Sequence, residues 1–159
     1  MKTKYYYCYN EFLKDLEKLT PKIKKYNPDT LLAIARGGMT IGHFLAERMN
    51  MRNVYSLNAI SYEDDKKIGK PKIFNIPDLR DKKRVLLLDD ISDSGETLEA
   101  VLQTLKKMYP NTEFKTLTLF FKKQTTVIPD IVLHETDKWI VFFWDKEGQE
   151  NDLSTNQKN

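Results

Sequence analysis

The chain has 159 residues, of which 40% are hydrophobic and 31% charged, and its formal net charge is +3. This composition is typical of one soluble globular domain and argues against a disordered chain. Apolar runs such as residues 31–35 and 85–88 are too short to cross a bilayer. The basic clusters are too short to predict a nucleic-acid-binding surface, and a single cysteine, Cys8, excludes an internal disulfide. We therefore expect a cytoplasmic protein with no leader, no transmembrane segment and no nucleic-acid partner.

Hydrophobic spacing along the chain predicts an alternation of helices and strands. The predicted elements are, in chain order, a helix over 10–26 with Asn10 as its N-cap, a strand over 31–35, a tight loop over 36–38, a helix over 39–49, a strand over 53–60, a long polar loop over 61–72, a strand over 84–89, a helix over 96–109, and strands over 115–121, 131–135 and 139–144. Such alternation is typical of an α/β fold with a mostly parallel twisted sheet flanked by helices. We expect a single domain over residues 1–150 and a polar mobile tail over 151–159.

The segment RVLLLDDISDSGETLEAVL, residues 84–102, runs from a buried strand into an acid-rich loop and then into a helix. Ligands of parallel sheets bind at the carboxyl ends of the strands, which is where Asp89 and Asp90 lie. The exposed N–H groups and the dipole of the following helix predict a phosphate cradle over residues 94–97. The paired acids suit the vicinal hydroxyls of a ribose or a hydrated Mg²⁺. Asp93, between these groups, either holds a proton or caps the helix.

The run VLLLDDISDSGET, residues 85–97, closely resembles the 5-phosphoribosyl-1-diphosphate motif of the type I phosphoribosyltransferases. Further segments resemble other parts of that family in the same order: RGGM at 36–39 its pyrophosphate loop, Ser61-Tyr62 the start of its flexible lid, TLFFK at 118–122 its base-reading strand, and DKWIVFFWD at 137–145 its purine-binding segment. The resemblance covers roughly residues 30–145. Within the family, the W-I-x-x-x-W-D pattern is most similar to the bacterial xanthine-guanine phosphoribosyltransferases.

The resemblance implies a type I phosphoribosyltransferase fold with a flexible lid loop. It implies a Mg²⁺-dependent purine salvage reaction that moves 5-phosphoribose from 5-phosphoribosyl-1-diphosphate to N9 of a 6-oxopurine (guanine, xanthine or hypoxanthine). The products are pyrophosphate and a purine nucleoside monophosphate, and the implied assembly is a homodimer or homotetramer. The residues implied in binding 5-phosphoribosyl-1-diphosphate are Arg36, Gly37, Gly38, Asp89, Asp90, Ser94, Gly95, Glu96 and Thr97.

The remaining site residues follow from the same resemblance. Asp93 is implied as the catalytic acid or base at purine N7, and Lys122 as the donor to purine O6, unless the adjacent Lys123 faces the base instead. Trp139 is implied as the stacking partner of the base, or alternatively as a core aromatic, and Ile140 as a main-chain contact near purine C2. The implied lid residues are Ser61 and Tyr62, and the implied metal ligands are Asp89, Asp90 and Asp145. The pyrophosphate loop of the family often contains a non-proline cis peptide, here Ala35–Arg36.

Three alternatives are open at this point. The first is a phosphoribosyltransferase for another base (adenine, orotate or uracil), against which the lysine and tryptophan of the base segment argue. The second is a non-catalytic regulator with the same fold, which would need an added DNA-binding domain or a broad basic face. The third is a receiver domain, which requires its acid pair after the first strand, whereas the strand over 31–35 is followed by Arg36. Separately from these three, the alternative for Arg36 is a surface arginine on a Gly-Gly turn.

Overall fold

The computed structural model describes residues 3–63 and 66–156 of the chain, apart from the side chains of residues 62–68 and 155–156. Its helices and strands are, in chain order, β1 (Lys4–Tyr7), α1 (Tyr9–Tyr26), β2 (Thr30–Ala35), α2 (Gly37–Met49), β3 (Val54–Glu63), β4 (Lys66–Phe74), β5 (Arg84–Leu88), β6 (Ile91–Ser92), α3 (Glu96–Met108), β7 (Glu113–Leu117), β8 (Phe120–Lys122), β9 (His134–Thr136), β10 (Trp139–Phe142) and α4 (Lys146–Asn156). No helix in these described ranges is long and apolar enough to cross a membrane.

The central sheet has five strands in the order β4-β3-β2-β5-β7. Strands β3, β2, β5 and β7 run parallel to one another, and only β4 is antiparallel to its neighbour. Two small parallel sheets, β6-β8-β9 and β1-β10, accompany the central sheet, and β6 follows β5 directly in the chain. The predicted α/β fold, a mostly parallel sheet flanked by helices in a single domain, is therefore confirmed.

The packing of strand β5 explains why the central strands are continuous apolar runs in the sequence. Side chains alternate between the two faces of a strand. On β5, Leu86 and Leu88 belong to the core that contains α1 and α2, whereas Val85 and Leu87 belong to the core that contains α3. Both faces of β5 are thus covered by helices, as expected for a parallel sheet. This packing fixes the position of the loop that follows Leu88.

The N-terminal strand β1 was not predicted as a strand. It pairs in parallel with β10, and Tyr7 is buried with its ring edge-on to Phe120 and Phe142 at centroid distances of 5.1 and 5.8 Å. Helix α1 begins at Tyr9 with Cys8 at the N-cap, so the prediction of Asn10 as the cap is wrong. The reason is Glu11, whose carboxylate accepts a 3.0 Å hydrogen bond from the backbone N–H of Cys8.

The prediction of an irregular loop over residues 61–72 is wrong for the described part of that segment. Strand β3 continues to Glu63 and β4 begins at Lys66, and the two form an antiparallel hairpin with a register shift between Ile60 and Tyr62. An edge hairpin needs no apolar alternation, because its strands are held by main-chain hydrogen bonds. Residues 64 and 65 lie outside the described residues. Closure of this hairpin as a lid stays a prediction.

Three further boundaries differ from the predicted ones. The tight loop predicted over 36–38 is wrong, because α2 already begins at Gly37. The strand predicted over 115–121 is divided into β7 and β8, since Thr118 turns away to donate its N–H to the carbonyl of Ile131 at 3.2 Å. The predicted tail is helical in α4 as far as Asn156, and residues 157–159 lie outside the described residues. Mobility of the tail stays a prediction.

Helix α2 approaches the end of β5 so closely that Gly38 has no space for a side chain. A Cβ at Gly38 would overlap the carbonyl oxygen of Leu88, whereas a Cβ at Gly42, one turn along the helix, would lie 3.4 Å from the Cβ of Ala33. We expect Gly38→Ala to lower the free energy of unfolding by about 2 kcal/mol through overpacking. Gly42→Ala is the matched control and should be neutral or stabilising by about 0.5 kcal/mol. Chemical denaturation measures both; equal stability of the two variants would contradict this helix–strand contact.

Candidate active site

The loops after β2 and β5 are in direct contact, because these strands are neighbours in the parallel sheet. A Cβ added to Gly37 would lie 2.5 Å from Cγ of Asp90 and 2.8 Å from Oδ1 of Asp89. Arg36, Gly37 and Asp90 line one open cavity of about 1020 Å³. The RGG loop and the acid pair, which are more than 50 residues apart in the sequence, therefore form one surface.

Arg36 lies at the start of α2 and its side chain is exposed to this cavity. The Ala35–Arg36 peptide is cis, as the family resemblance implies. The guanidinium makes no ion pair with a side chain in the described part of the chain. Its planar set of N–H donors thus faces the cavity and suits the oxygen atoms of a phosphate group.

Asp89 and Asp90, the two residues after β5, are unfavourable to ionise in their positions. Burial, together with the negative charge of Asp90, raises the pKa of Asp89 well above its usual range. Burial also raises the pKa of Asp90 to about 6, and the charge of Asp145 contributes to this shift. The carboxyl groups of Asp89, Asp90 and Asp145 therefore converge at this end of the sheet, where ionising the first two is unfavourable. A cation or a set of hydroxyl donors bound here would lower the cost.

The start of α3 forms a small cavity of about 100 Å³, the predicted phosphate cradle. It is lined by residues of the acid-rich loop: Asp89, Ile91, Ser92, Asp93, Ser94, Gly95, Thr97 and Leu98. Gly95 is the N-cap of α3 and adopts φ 86°, a left-handed conformation that glycine allows at little cost. The first N–H groups of a helix lack intrahelical partners, so they are available to an anion. Glu96, the first residue of α3, donates its N–H to Ser94 Oγ at 3.3 Å.

The predicted lid residue Ser61 contacts the phosphate cradle. Its hydroxyl is hydrogen-bonded to Oγ1 of Thr97 at 2.8 Å, so the β3–β4 hairpin and the start of α3 are joined in this structure. The backbone of Tyr62 pairs with Lys67 across the hairpin. The side chain of Tyr62 lies outside the described residues.

Asp93 does not cap α3, which argues against the capping alternative. Its carboxylate instead accepts hydrogen bonds from two side chains, Lys122 Nζ on Oδ2 at 2.9 Å and Gln124 Nε2 on Oδ1 at 3.0 Å. The side chain of Lys122 is only 2% exposed, while that of Asp93 is 49% exposed. The buried ammonium group of Lys122 thus orients the half-exposed carboxylate of Asp93.

A pocket of about 180 Å³ lies beside this ion pair. Trp139, at the start of β10, is 52% exposed and is therefore not a core aromatic. Its ring centroid lies 5.9 Å from Lys122 Nζ, and the buried Ile140 lines the same pocket. Lys123 points outwards, is 78% exposed and pairs with Glu135 at 3.5 Å. Of the two adjacent lysines, Lys122 is the one that faces the pocket.

Asp145 lines both the pocket at Lys122 and the cavity at Arg36. Its Oδ2 accepts a 3.0 Å hydrogen bond from the backbone N–H of Phe142, which fixes the carboxylate at the start of α4. Among the residues that the structure describes, no three His, Cys, Asp or Glu side chains are arranged to hold a metal ion by themselves. The carboxylate oxygens of these acids are of the ligand type that Mg²⁺ prefers, and Mg²⁺ is commonly bound by one or two carboxylates together with water and substrate phosphates.

Sequence reasoning missed three residues of this region. Ile91 and Phe142 line the pocket beside Lys122, and Gln124 donates to Asp93. The spacing of Lys122 and Gln124 is that of residues on one face of a strand, and this was the available signal. It was not decisive, because β8 ends at Lys122 and the alternation does not have to continue beyond it.

The chain matches the family model described as a phosphoribosyl transferase domain over residues 6–151. It is 28% identical to a xanthine-guanine phosphoribosyltransferase of Roseobacter denitrificans (89% of this chain, 85% of the relative). It is 31% identical to one from Desulfotalea psychrophila (75% and 71%).

Two solved structures extend the comparison. The xanthine-guanine-hypoxanthine phosphoribosyltransferase of Helicobacter pylori is 36% identical, with a TM-score of 0.84 over 98% of this chain and 99% of that chain. A purine phosphoribosyltransferase of Pyrococcus horikoshii is 34% identical, with a TM-score of 0.77 over 90% and 94%. The fold agrees with these matches. The chain belongs to the phosphoribosyltransferase family.

Proposed function

We propose that the chain is a purine salvage phosphoribosyltransferase that acts on 6-oxopurines: guanine, xanthine or hypoxanthine. It transfers 5-phosphoribose from 5-phosphoribosyl-1-diphosphate to N9 of the base and releases pyrophosphate and a purine nucleoside monophosphate. The observation that carries the proposal is the buried Lys122, which is paired with Asp93 and lies beside the exposed ring of Trp139. The names of the relatives support a purine as the acceptor.

The substrate 5-phosphoribosyl-1-diphosphate fits across the two joined loops. Its 5′-phosphate would be bound by the N–H groups and hydroxyls of residues 94–97, since this segment begins a helix. The ribose hydroxyls would donate to Asp89 and Asp90. The diphosphate would be bound by Arg36 and by the backbone N–H groups of residues 37–38. Each group of the substrate would thus contact protein groups of complementary charge or hydrogen-bonding type.

Asp89, Asp90 and Asp145 would hold Mg²⁺ together with the substrate oxygens. Their carboxylates are oxygen ligands. Burial raises the pKa values of Asp89 and Asp90, the charge of Asp90 adds to the shift at Asp89 and the charge of Asp145 to that at Asp90, and a divalent cation would reverse these shifts. When bound, Mg²⁺ neutralises part of the negative charge on the leaving diphosphate. Arg36 would add a positive charge on the same leaving group. We further propose a cytoplasmic homodimer or homotetramer, whose subunit number light scattering in solution would measure.

The reaction breaks the bond between ribose C1 and the diphosphate oxygen and forms the bond between C1 and purine N9. The family resemblance implies a transition state similar to an oxocarbenium ion. Catalysis would then depend on stabilising the charge of the leaving group. Asp93 would hold the proton at purine N7 while N9 forms its bond. Its hydrogen bond with Lys122 orients the carboxylate at the edge of the pocket.

Lys122 would select the base. Its ammonium group is a donor only, so it can bind the O6 acceptor of guanine, xanthine or hypoxanthine but meets another donor in the 6-amino group of adenine. Lys122 stays paired with Asp93, but its remaining N–H donors would face the 6-amino donor of adenine without an acceptor. This is costly, so discrimination against adenine by about 100-fold or more is expected. Trp139 would stack on the ring of any purine, because stacking depends little on the substituents.

We expect Asp93→Asn to lower kcat at least about tenfold, because the amide cannot hold the N7 proton in the same way. Binding of 5-phosphoribosyl-1-diphosphate should change little, since its contacts are made by the neighbouring residues. Steady-state kinetics with guanine, together with calorimetric titration of the diphosphate substrate, measures both quantities. Full kcat in this variant would disprove the acid or base role of Asp93.

The roles of Lys122 and Trp139 predict different losses. Lys122→Ala should abolish most activity on 6-oxopurines, by about 100-fold or more in kcat/KM, because the O6 contact is lost. Trp139→Ala should weaken all purines together by about tenfold, because it removes stacking only. Initial rates with guanine, xanthine, hypoxanthine and adenine for both variants make the comparison. A Lys122→Ala enzyme with unchanged preference among these bases would contradict the proposed role.

Because the pKa of Asp90 is raised, removing its charge should increase the stability of the ligand-free protein but weaken substrate binding. A carboxyl group with a raised folded-state pKa lowers stability when it ionises, so stability is lost as the pH rises through about 6. Asp90→Asn should therefore raise the free energy of unfolding of the ligand-free protein by on the order of 1 kcal/mol at about pH 7.5, and by almost nothing at about pH 4. The same variant should bind 5-phosphoribosyl-1-diphosphate with Mg²⁺ more weakly.

Chemical denaturation at the two pH values and titration with the substrate measure these effects. Asp137→Asn is the matched control, because Asp137 is exposed and far from the acid pair in sequence. It should change neither stability nor binding. If Asp90→Asn were destabilising at about pH 7.5, the electrostatic cost assigned to the acid pair would be wrong.

A further inference from the structure

We propose that Gln124 is a positioning residue that holds the carboxylate of Asp93 in its reactive orientation during phosphoribosyl transfer. The inference rests on the proposed function, because it assigns a role within that reaction. Neither the motif nor the family resemblance pointed to Gln124. It is identified by its contact, a 3.0 Å hydrogen bond from Nε2 to Oδ1 of Asp93.

The carboxylate of Asp93 is held at both of its oxygens. Lys122 donates to Oδ2 and Gln124 donates to Oδ1, so together they fix the plane of a side chain that is 49% exposed. An exposed aspartate without such partners rotates freely about its terminal torsion, which is broad. Two donors from the same segment of chain remove this freedom before a substrate binds.

The two donors are not equivalent once a purine binds. Lys122 would turn part of its donor capacity to purine O6, because the ring of Trp139 and the pocket lie on its side. Its hold on Oδ2 then weakens at the moment when the orientation of Asp93 matters most. Gln124 has no such second partner among the proposed substrate contacts. It therefore maintains the orientation of Asp93 in the complex that reacts.

Although its side chain is exposed, the backbone on either side of Gln124 is firmly attached. Thr125 donates its N–H to the carbonyl of Lys122 at 2.9 Å, and Thr126 donates its N–H to the carbonyl of Ser94 at 2.9 Å. The hydroxyl of Thr125 is hydrogen-bonded to that of Ser92 at 2.7 Å. These bonds connect the segment after β8 to the acid-rich loop on both sides of Asp93. The amide of Gln124 is thus presented from a fixed position.

Two substitutions test the contact. Gln124→Leu removes the donor and keeps a side chain of similar size, and Gln124→Glu replaces the donor with an oxygen that repels Asp93. We expect kcat to fall about tenfold for Gln124→Leu and further for Gln124→Glu. KM for both substrates should stay within about twofold, and the melting temperature should not change. Lys123→Ala, next in the chain and directed outwards to Glu135, is the matched control and should keep wild-type kinetics.

A double-mutant cycle separates positioning from a general structural effect. In an Asp93→Asn background, Gln124→Leu should lower kcat by less than about twofold, since the carboxylate that it orients is already gone. Unchanged kcat in Gln124→Leu, a loss confined to KM, or an equal loss in the Asp93→Asn background would each overturn the inference. If the wild-type protein transferred no phosphoribose to any 6-oxopurine, both the proposed function and this inference would fail. An active wild type with unaffected Gln124 variants would overturn the inference alone.

Discussion

The whole site depends on the close approach of helix α2 to the end of strand β5. Gly38 has no space for a Cβ against the carbonyl of Leu88, and Gly37 lies directly against the carboxylate of Asp90. This contact is possible because β2 and β5 are neighbouring parallel strands whose carboxyl ends lie at one edge of the sheet. It joins the RGG loop to the acid pair, as the proposed binding of one substrate across both loops requires. The phosphate cradle then follows along the chain from β5 into α3.

Charge divides this site into two parts. The acid pair has raised pKa values, because Asp89 and Asp90 are half-buried and partly desolvated, and a further carboxyl group lies beside each of them. Asp93, three residues on, has its own cation in Lys122 at 2.9 Å. In the proposed function, the first part would accept a cation that arrives with the substrate, and the second is preassembled for the base. Unfavourable electrostatics of this kind are typical of functional sites rather than of stabilising ones.

Sequence patterns were sufficient to predict the fold and to single out most residues of the candidate site, because both depend on local patterns. Strands such as β5 are buried on both faces and read as apolar runs, and the acid-rich loop is a continuous motif. The hairpin that contains Ser61 could not be predicted, because an edge strand needs no apolar alternation. The choice between Lys122 and Lys123 depends on the pairing of β8 with β6 and β9, which is a tertiary property. The contact of Gln124 with Asp93 likewise arises only when two distant segments pack together.

The most direct measurement is the initial rate of the wild-type protein with 5-phosphoribosyl-1-diphosphate, Mg²⁺ and each of guanine, xanthine, hypoxanthine and adenine. Formation of the nucleoside monophosphate and release of pyrophosphate are followed together. We predict equal amounts of both products with at least one 6-oxopurine, and a kcat/KM for adenine lower by about 100-fold or more. Comparable turnover of adenine would contradict the selection of O6 by Lys122. Absence of pyrophosphate release with every 6-oxopurine would contradict phosphoribosyl transfer itself.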